Sequence, residues 1–354
     1  MSDSSQDDRA GVPTLPRPQR PAQTEAAKEA PPQKERGPDP TLEGVARMRK
    51  EIRKVVLGQD EVIDMVLTAF LASGHVLIEG VPGLGKTMLV LALSRTFGGT
   101  TQRIQFTPDL MPTDVTGHAI FDPDTAKFHI RKGPVFTNFL LADEINRAPA
   151  KTQSALLEVM QERQISIEGE TYELDRPFMV LATQNPIEQD GTYPLPEAQL
   201  DRFLFKIDID YPTGPDEVAI VEMVTKASVG DQLDVNDVKP FLSVEMARKM
   251  QQSCAKVRVD SRLVEYAVRL ARRTRNWPGL SYGAGPRAGI ALIRGARAYA
   301  MIQGRQFITP DDIQAVAPAA LRHRVVVAPE LALDGMGPDE VLADMMRKVE
   351  VPRS

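Results

Sequence analysis

The stretch GVPGLGKT, residues 80–87, sets three glycines ahead of a lysine and a threonine, between the apolar run HVLIE and a second run, MLVLAL, of helical character. Gly80, Gly85, Lys86 and Thr87 satisfy the spacing G-x-x-x-x-G-K-[ST], with the strand before and the helix after that this spacing requires. The glycines let the backbone curl until successive N–H groups converge on phosphate oxygens, above the positive end of the following helix. Lys86 then reaches the β- and γ-phosphates, and the Thr87 hydroxyl is placed to ligate magnesium.

Hydrolysis needs a carboxylate pair as well. FLLADEINRAP (139–149) ends an apolar strand in Asp143-Glu144. Asp143 at the strand's end is suited to hold magnesium through water, and Glu144 to take the proton of the attacking water. VLATQNP (180–186) is another apolar strand with a polar end, where Asn185 offers an amide to orient a water or touch a phosphate oxygen. Arg202 in PLPEAQLDRFLFKI (194–207) and Arg287 in GAGPRA (283–288) are candidates to face a γ-phosphate. For Arg202 the spacing leaves open a pairing with Asp201 or Glu197 on its own surface.

These residues need a scaffold that gathers strand ends on one edge. From Leu42 on, short apolar runs alternate with helical stretches: 75–79, 103–106, 139–143, 178–183 and 203–209. Such alternation predicts crossover connections and a mainly parallel sheet covered on both faces. HAIFDPDTAKFHIRKG (118–133) and ISIEGETYEL (165–174) read instead as hairpins. After Pro212 helical patterns run to the end, with Thr309-Pro310-Asp311-Asp312 a capping-box start and Pro286 opening a helix that Gly304 closes. The expected organisation is a tail at 1–42, an α/β nucleotide-binding domain at 43–212 and a smaller all-α domain at 213–354. The tail holds eight prolines and no aromatic residue, a composition that cannot bury enough apolar surface to order itself.

The net charge is −5 and the sequence pI is near 5.6, which argues against a chain built to coat nucleic acid. One cysteine, Cys254, permits no internal disulfide, and no run of about 18 apolar residues is present to span a bilayer. A cytoplasmic protein with no direct membrane insertion is expected. His75, His118, His129 and His323 have no metal-ligand spacing, although His118 and His129 lie on opposite arms of one predicted hairpin. The basic cluster of Arg269 and ARRTR (271–275) reads as a solvated helix face, and Trp277 as a loop anchor.

Together GVPGLGKT, LLADEINRAP, ATQNP, EAQLDRF and GPRA, with FTPDLMPTDVTG (106–117) and LLEVMQERQISIEG (156–169), resemble the MoxR family of AAA+ ATPases over residues 43–350. The resemblance implies a P-loop AAA+ core of the helix-2-insert branch with a helical lid, a homo-oligomer in a hexameric ring, and ATP and Mg2+ between subunits. It implies nucleotide contacts from Val56, Leu57, Gly58, Gly80, Gly83, Leu84, Gly85, Lys86, Thr87 and Met88, with Thr87 and Asp143 on the metal. Glu144, Asn185 (sensor 1), Arg202 (arginine finger) and Arg287 (sensor 2) are the implied catalytic set. The hairpin at 118–133 matches the helix-2 insert. Gly285 stands where many members carry Ser ahead of Pro-Arg, so the start of that helix should lack a side-chain cap. The family also implies a chaperone-like remodelling role on a protein client, with a partner carrying a von Willebrand factor A (VWA) domain. A nucleotide-dependent scaffold that recruits partners with little turnover is the alternative.

Overall fold

The run FLLAD is buried at every position, and its side chains divide between two cores, Phe139 and Leu141 on one side and Leu140 and Ala142 on the other. A strand apolar on both faces must be covered on both. The computed structural model, which describes residues 40–80, 84–185, 191–225 and 235–352, shows that covering. Gly83 and the tail up to residue 39 lie outside the described residues.

In chain order, α1 (Pro40–Ile52) and α2 (Asp60–Leu71) lead to β1 (Val76–Glu79), α3 (Lys86–Thr96), β2 (Thr101–Gln105) and α4 (Pro112–Thr116). There follow β3 (Gly117–Asp122), β4 (Lys127–Lys132), β5 (Phe139–Asp143), α5 (Ala150–Glu162), β6 (Gln164–Ile167) and β7 (Glu170–Glu173). Then come β8 (Met179–Gln184), α6 (Glu197–Leu200), β9 (Phe205–Asp208) and α7 (Gly214–Thr225). The C-terminal part holds α8 (Val244–Ala255), α9 (Ser261–Thr274), β10 (Leu280–Tyr282), α10 (Pro286–Ile302), α11 (Pro310–Leu321), β11 (Val326–Val327), α12 (Pro329–Leu333) and α13 (Pro338–Arg347).

Five strands form one parallel sheet in the order β2-β5-β8-β1-β9. Val76 and Ile78, Met179 and Leu181, and Phe205 and Ile207 face a core shared with α1, α2, α3, α10 and α11. Phe70, Phe97 and Phe139 meet there with ring centroids 5.4 to 6.3 Å apart. Leu77, Val180 and Ala182 face a second core with α5, Phe106 and Val115. The predicted parallel sheet with helices on both faces is therefore present.

Both predicted hairpins form, β3 with β4 and β6 with β7. In the first, His118 pairs with Arg131 and His129 with Ile120, so the two histidines are not directly opposite. Among the described residues no group of three or more His, Cys, Asp or Glu side chains is placed to hold a metal. The C-terminal part is helical apart from a short antiparallel ribbon of β10 and β11, which the sequence pattern does not announce. Thr309 caps α11 as read, its N–H donating to Asp312 Oδ2 at 2.7 Å, and Gly285 caps α10 without a side-chain bond. Trp277 is buried, with Arg273 and Lys348 each 5.1 Å from its ring centre. Among the described residues no helix is long and apolar enough to cross a membrane.

Candidate functional site

Gly80 follows β1 where that strand passes β9, and a Cβ there would stand 2.7 Å from the carbonyl oxygen of Ile209. Only glycine lets the chain turn at this point without pushing the sheet apart. Gly85 begins α3 in the left-handed region, at φ 73°, which again favours glycine. Lys86 opens α3, and its ammonium donates to the Gly80 carbonyl at 2.7 Å. Burial pulls the Lys86 ammonium below its ordinary value, while Asp143, Glu144 and Glu79 oppose the shift. The acid pair and the lysine thus share one electrostatic site.

Parallel strands carry the other groups to the same edge. β1, β8 and β5 are consecutive in the sheet, so the ends bearing Gly80, Asn185 and Asp143 span about 10 Å at ordinary strand spacing. A residue not singled out from the sequence organises them. Thr183, 2% exposed, donates its hydroxyl to Asp143 Oδ1 at 3.1 Å and accepts the Glu144 N–H at 2.9 Å. Glu144 lies in the left-handed region, at φ 55°, a costly conformation for a residue with a side chain. The Thr183 bond holds it there. Two arginines neutralise the acids: Arg103 Nε donates to Asp143 Oδ2 at 2.7 Å, and Arg147 to Glu144 Oε2 at 3.1 Å.

Beside the loop is a cavity of about 410 Å³ lined by Val55, Val56, Leu57, Leu84, Gly85 and Met88 and closed by Tyr211, Pro212, Ile220 and Val221. The first group contains Val56, Leu57, Leu84, Gly85 and Met88 of the expected nucleotide set. Gly58 directly follows Leu57, with φ 69°. The second group, from α7 and the turn before it, was not legible as part of the site, because apolar residues at helical spacing read as core.

Arg202 and Arg287 are elsewhere. They line a cavity of about 300 Å³ with Ser73, Gly74, His75, Asp201, Arg163, Arg294 and Arg324. Ser73 to His75 precede β1 and Asp201 to Leu204 precede β9, so this cavity sits at the starts of the strands whose ends carry the phosphate loop. From His75 to Gly80 is about 16 Å of extended chain. Five guanidinium groups and one carboxylate, Asp201, line the cavity. Asp201 accepts from Arg324 Nε at 2.6 Å and lies 3.7 Å from Arg287, so the alternative partner for Asp201 is Arg324 rather than Arg202. Burial lowers the Arg324 pKa, opposed by the Asp201 bond, and Arg324 also donates to the carbonyls of Phe203 at 2.7 Å and Leu204 at 3.2 Å. This buried arginine fixes the segment that presents Arg202. Burial likewise lowers Arg163 and Arg294.

Residues 75–205 match the model of the ATPase family associated with various cellular activities (AAA), and residues 272–345 match the AAA lid domain. The chain is 42% identical over 338 residues to the protein named Chaperone MoxR1 from Mycobacterium tuberculosis, covering 92% of this chain and 87% of that protein. The chain belongs to the MoxR family of AAA+ ATPases. It is also 31% identical over 326 residues to Protein MoxR of Methylorubrum extorquens, which covers 87% of this chain and 94% of that one. A solved structure from Cytophaga hutchinsonii, 39% identical, superposes with a TM-score of 0.81 over 88% of this chain and 96% of that one. The fold is accordingly a MoxR-type AAA+ core with its lid.

The donor set of this MoxR-family chain suits magnesium. A hydroxyl (Thr87) and a carboxylate (Asp143) are hard oxygen donors, and that ion is commonly held by one or two carboxylates plus phosphate oxygens of its substrate. Asp143 Oδ2 is taken by Arg103, so a metal there competes with a guanidinium. Oδ1 stays oriented by Thr183.

Proposed function

We propose that this MoxR-family chain hydrolyses ATP with magnesium at sites shared between neighbouring copies, in a head-to-tail ring of six. The observation that carries this is the separation of the two arginines, Arg202 and Arg287, from Lys86 and the acid pair by the length of a strand. A single copy does not close both halves of such a site on one nucleotide. A neighbour presenting its arginine cavity to this copy's phosphate loop does.

In the proposed reaction Lys86 and the loop N–H groups hold the β- and γ-phosphates, and the cavity of Val56, Leu57 and Met88 takes the base. Thr87 and Asp143 would hold magnesium, whose charge offsets that of the phosphates. Asn185 orients the water. Glu144 accepts its proton as the oxygen bonds to Pγ and the bridge to the β-phosphate breaks, giving ADP and phosphate. Arg202 and Arg287 of the neighbour neutralise charge on the transferred group, the role in which an arginine finger contributes about 10³ to 10⁵ in rate. The cycle would serve to remodel or activate a protein client in the cytoplasm, with a VWA-domain partner. The name Chaperone MoxR1 of a relative supports the remodelling role. Division into a core to 212 and a lid from 213 belongs to the same proposal.

The test is ATPase rate per subunit against protein concentration, with mass measured at each point, for wild type, Glu144→Gln and Arg202→Ala. A rate that rises with assembly and collapses in both variants is expected. A wild-type rate that is flat across concentration in a monomeric protein overturns the shared site. Client activation retained in Glu144→Gln would instead favour a scaffold.

A further inference from the structure

Three consecutive residues, Arg322, His323 and Arg324, form a short 3-10 turn after α11, and each of them bonds to β9 or to the residues that flank it. Arg324 grips the start of the strand through Asp201 and the carbonyls of Phe203 and Leu204. His323 lies 3.2 Å from the same Phe203 carbonyl. Arg322 goes to the other end: its Nη1 donates to Oδ2 of Asp208, the last residue of β9, at 2.7 Å. Its Nε and Nη2 donate to the two carboxylate oxygens of Asp339 on α13, at 3.0 and 2.6 Å. Leu204 and Asp208 are about 13 Å apart along an extended strand, so one turn of the C-terminal part holds β9 at both ends.

The two ends serve different groups. At the start, Arg202 directly follows Asp201. At the far end β9 is a wall of the phosphate loop. Asp208 pairs in register with Glu79, the residue before Gly80, the Ile209 N–H donates to the Glu79 carbonyl at 2.8 Å, and Lys206 pairs with the Glu79 carboxylate. The space that a Gly80 Cβ would need is filled by the Ile209 carbonyl, so a shift of this strand end moves the loop with it.

The Arg322 side chain is 12% exposed, while those of Asp208 and Asp339 are 51% and 43% exposed. A single pair so placed would contribute little. A guanidinium that is bidentate to one carboxylate and bonded to a second is stronger, and without it the two acids repel each other. Beside the bridge is a cavity of about 490 Å³ lined by Met65, Asp208, Tyr299, Pro318, Arg322 and Asp339, which leaves α13 room to part from the strand.

We infer that this turn is a positioning clasp on β9: Arg322 sets the phosphate loop through Asp208 and Arg324 sets Arg202 through Asp201, so one displacement of the C-terminal part adjusts both. Neither residue touches the nucleotide. The nucleotide held by the loop and the nucleotide reached by Arg202 belong to different copies, so the clasp links a copy's own site to the site it completes on its neighbour. That last step rests on the shared-site reading above.

The experiment places Arg322→Met on either member of an equal mixture of full chains. Arg202→Ala chains supply a working loop and Glu144→Gln chains supply Arg202, so activity arises where the two meet. On the Arg202→Ala chain the substitution is expected to raise KM for ATP about threefold or more; on the Glu144→Gln chain it should lower kcat about threefold or more and leave KM unchanged. A merely destabilised chain would reduce the number of working sites from either position without moving KM. Should Arg322→Met fail to fold by circular dichroism, Asp339→Asn carries the same test, since it weakens the fork, keeps the Asp208 bond and should shift both quantities in the same directions by less.

A change from only one position, or from neither, in a mixture that is otherwise active overturns the clasp. If the mixture without Arg322→Met is no more active than its separate components, the shared-site reading falls instead.

Discussion

Thr183 carries two hydrogen bonds that define the relation of Asp143, the proposed metal ligand, to Glu144, the proposed base. Replacing it with Val keeps shape and burial but removes the hydroxyl, leaving Asp143 held by Arg103 alone and Glu144 without the partner of its N–H. The loss of one buried hydrogen bond costs about 1 to 3 kcal/mol, and about 1.4 kcal/mol is tenfold in rate. Thr183→Val is therefore expected to lower kcat at least about tenfold while the Kd for ATP without magnesium moves less than about twofold. Thr183→Ser should restore most of the rate. A structural role alone would lower thermal stability in Val and Ser alike with no such division, and stopped-time ATPase assays beside equilibrium binding separate the two. In the sequence the threonine was visible as a polar residue inside the apolar run VLAT, but its partners sit 40 and 39 residues away and no local spacing announces them. The same distance hid Arg103 as the counter-ion of Asp143, whereas Arg147 stands only three residues from Glu144, and Lys86, Asp143 and Glu144 were legible because loop and strand end are contiguous in the chain. Cys254 is the opposite case: burial pushes its thiol up to about 12, so at pH 8 it should resist a thiol reagent until the chain is unfolded, and fast labelling of folded protein would contradict its burial.

His75 ties three elements together: its Nδ1 accepts the Val180 N–H of β8 at 2.9 Å, and its Nε2 lies 3.1 Å from the Met160 carbonyl of α5, just ahead of β1. Both bonds are satisfied by the neutral ring that donates from Nε2. Burial drops its pKa from 6.5 to about 3, and burial moves His323, 3.2 Å from the Phe203 carbonyl, in the same direction. The unfolded chain takes up these protons as pH falls below about 6.5 while the folded chain does not, so stability is complete above that pH and declines beneath it. Between pH 7 and 5.5, where carboxylates scarcely titrate, the urea midpoint should fall, and His75→Gln should flatten part of the fall. A midpoint independent of pH in this window would contradict neutral burial of both rings. At this scale the sheet was readable because FLLA and FMVLA are unbroken apolar runs, as strands covered on both faces must be. The β10–β11 ribbon was not, since two- and three-residue strands give no periodicity, and α7 could not be placed beside the nucleotide cavity because helical spacing gives a face and not its neighbour.

Across the whole molecule the sheet has two chemically opposed ends, one holding the phosphate loop with Asp143 and Glu144, the other holding Arg202 and Arg287 around Asp201. The order of motifs along the chain is silent about this, because residues 80 and 202 are brought into register only by the parallel pairing of β1 with β9. A shared site makes a demand that neither end makes alone: Glu144 must come from one copy and Arg202 from the next. Homogeneous Glu144→Gln and Arg202→Ala proteins should each be nearly inactive. In a random equal mixture, about a quarter of interfaces in a head-to-tail ring combine an intact Glu144 with an intact Arg202 from its neighbour, so activity should return to about a quarter of wild type after subunit exchange. If both residues served the nucleotide of their own copy, every site in the mixture would remain defective and no activity would return. Measuring ATPase through the exchange, with mass confirming mixed assemblies, distinguishes the two arrangements without reference to the client.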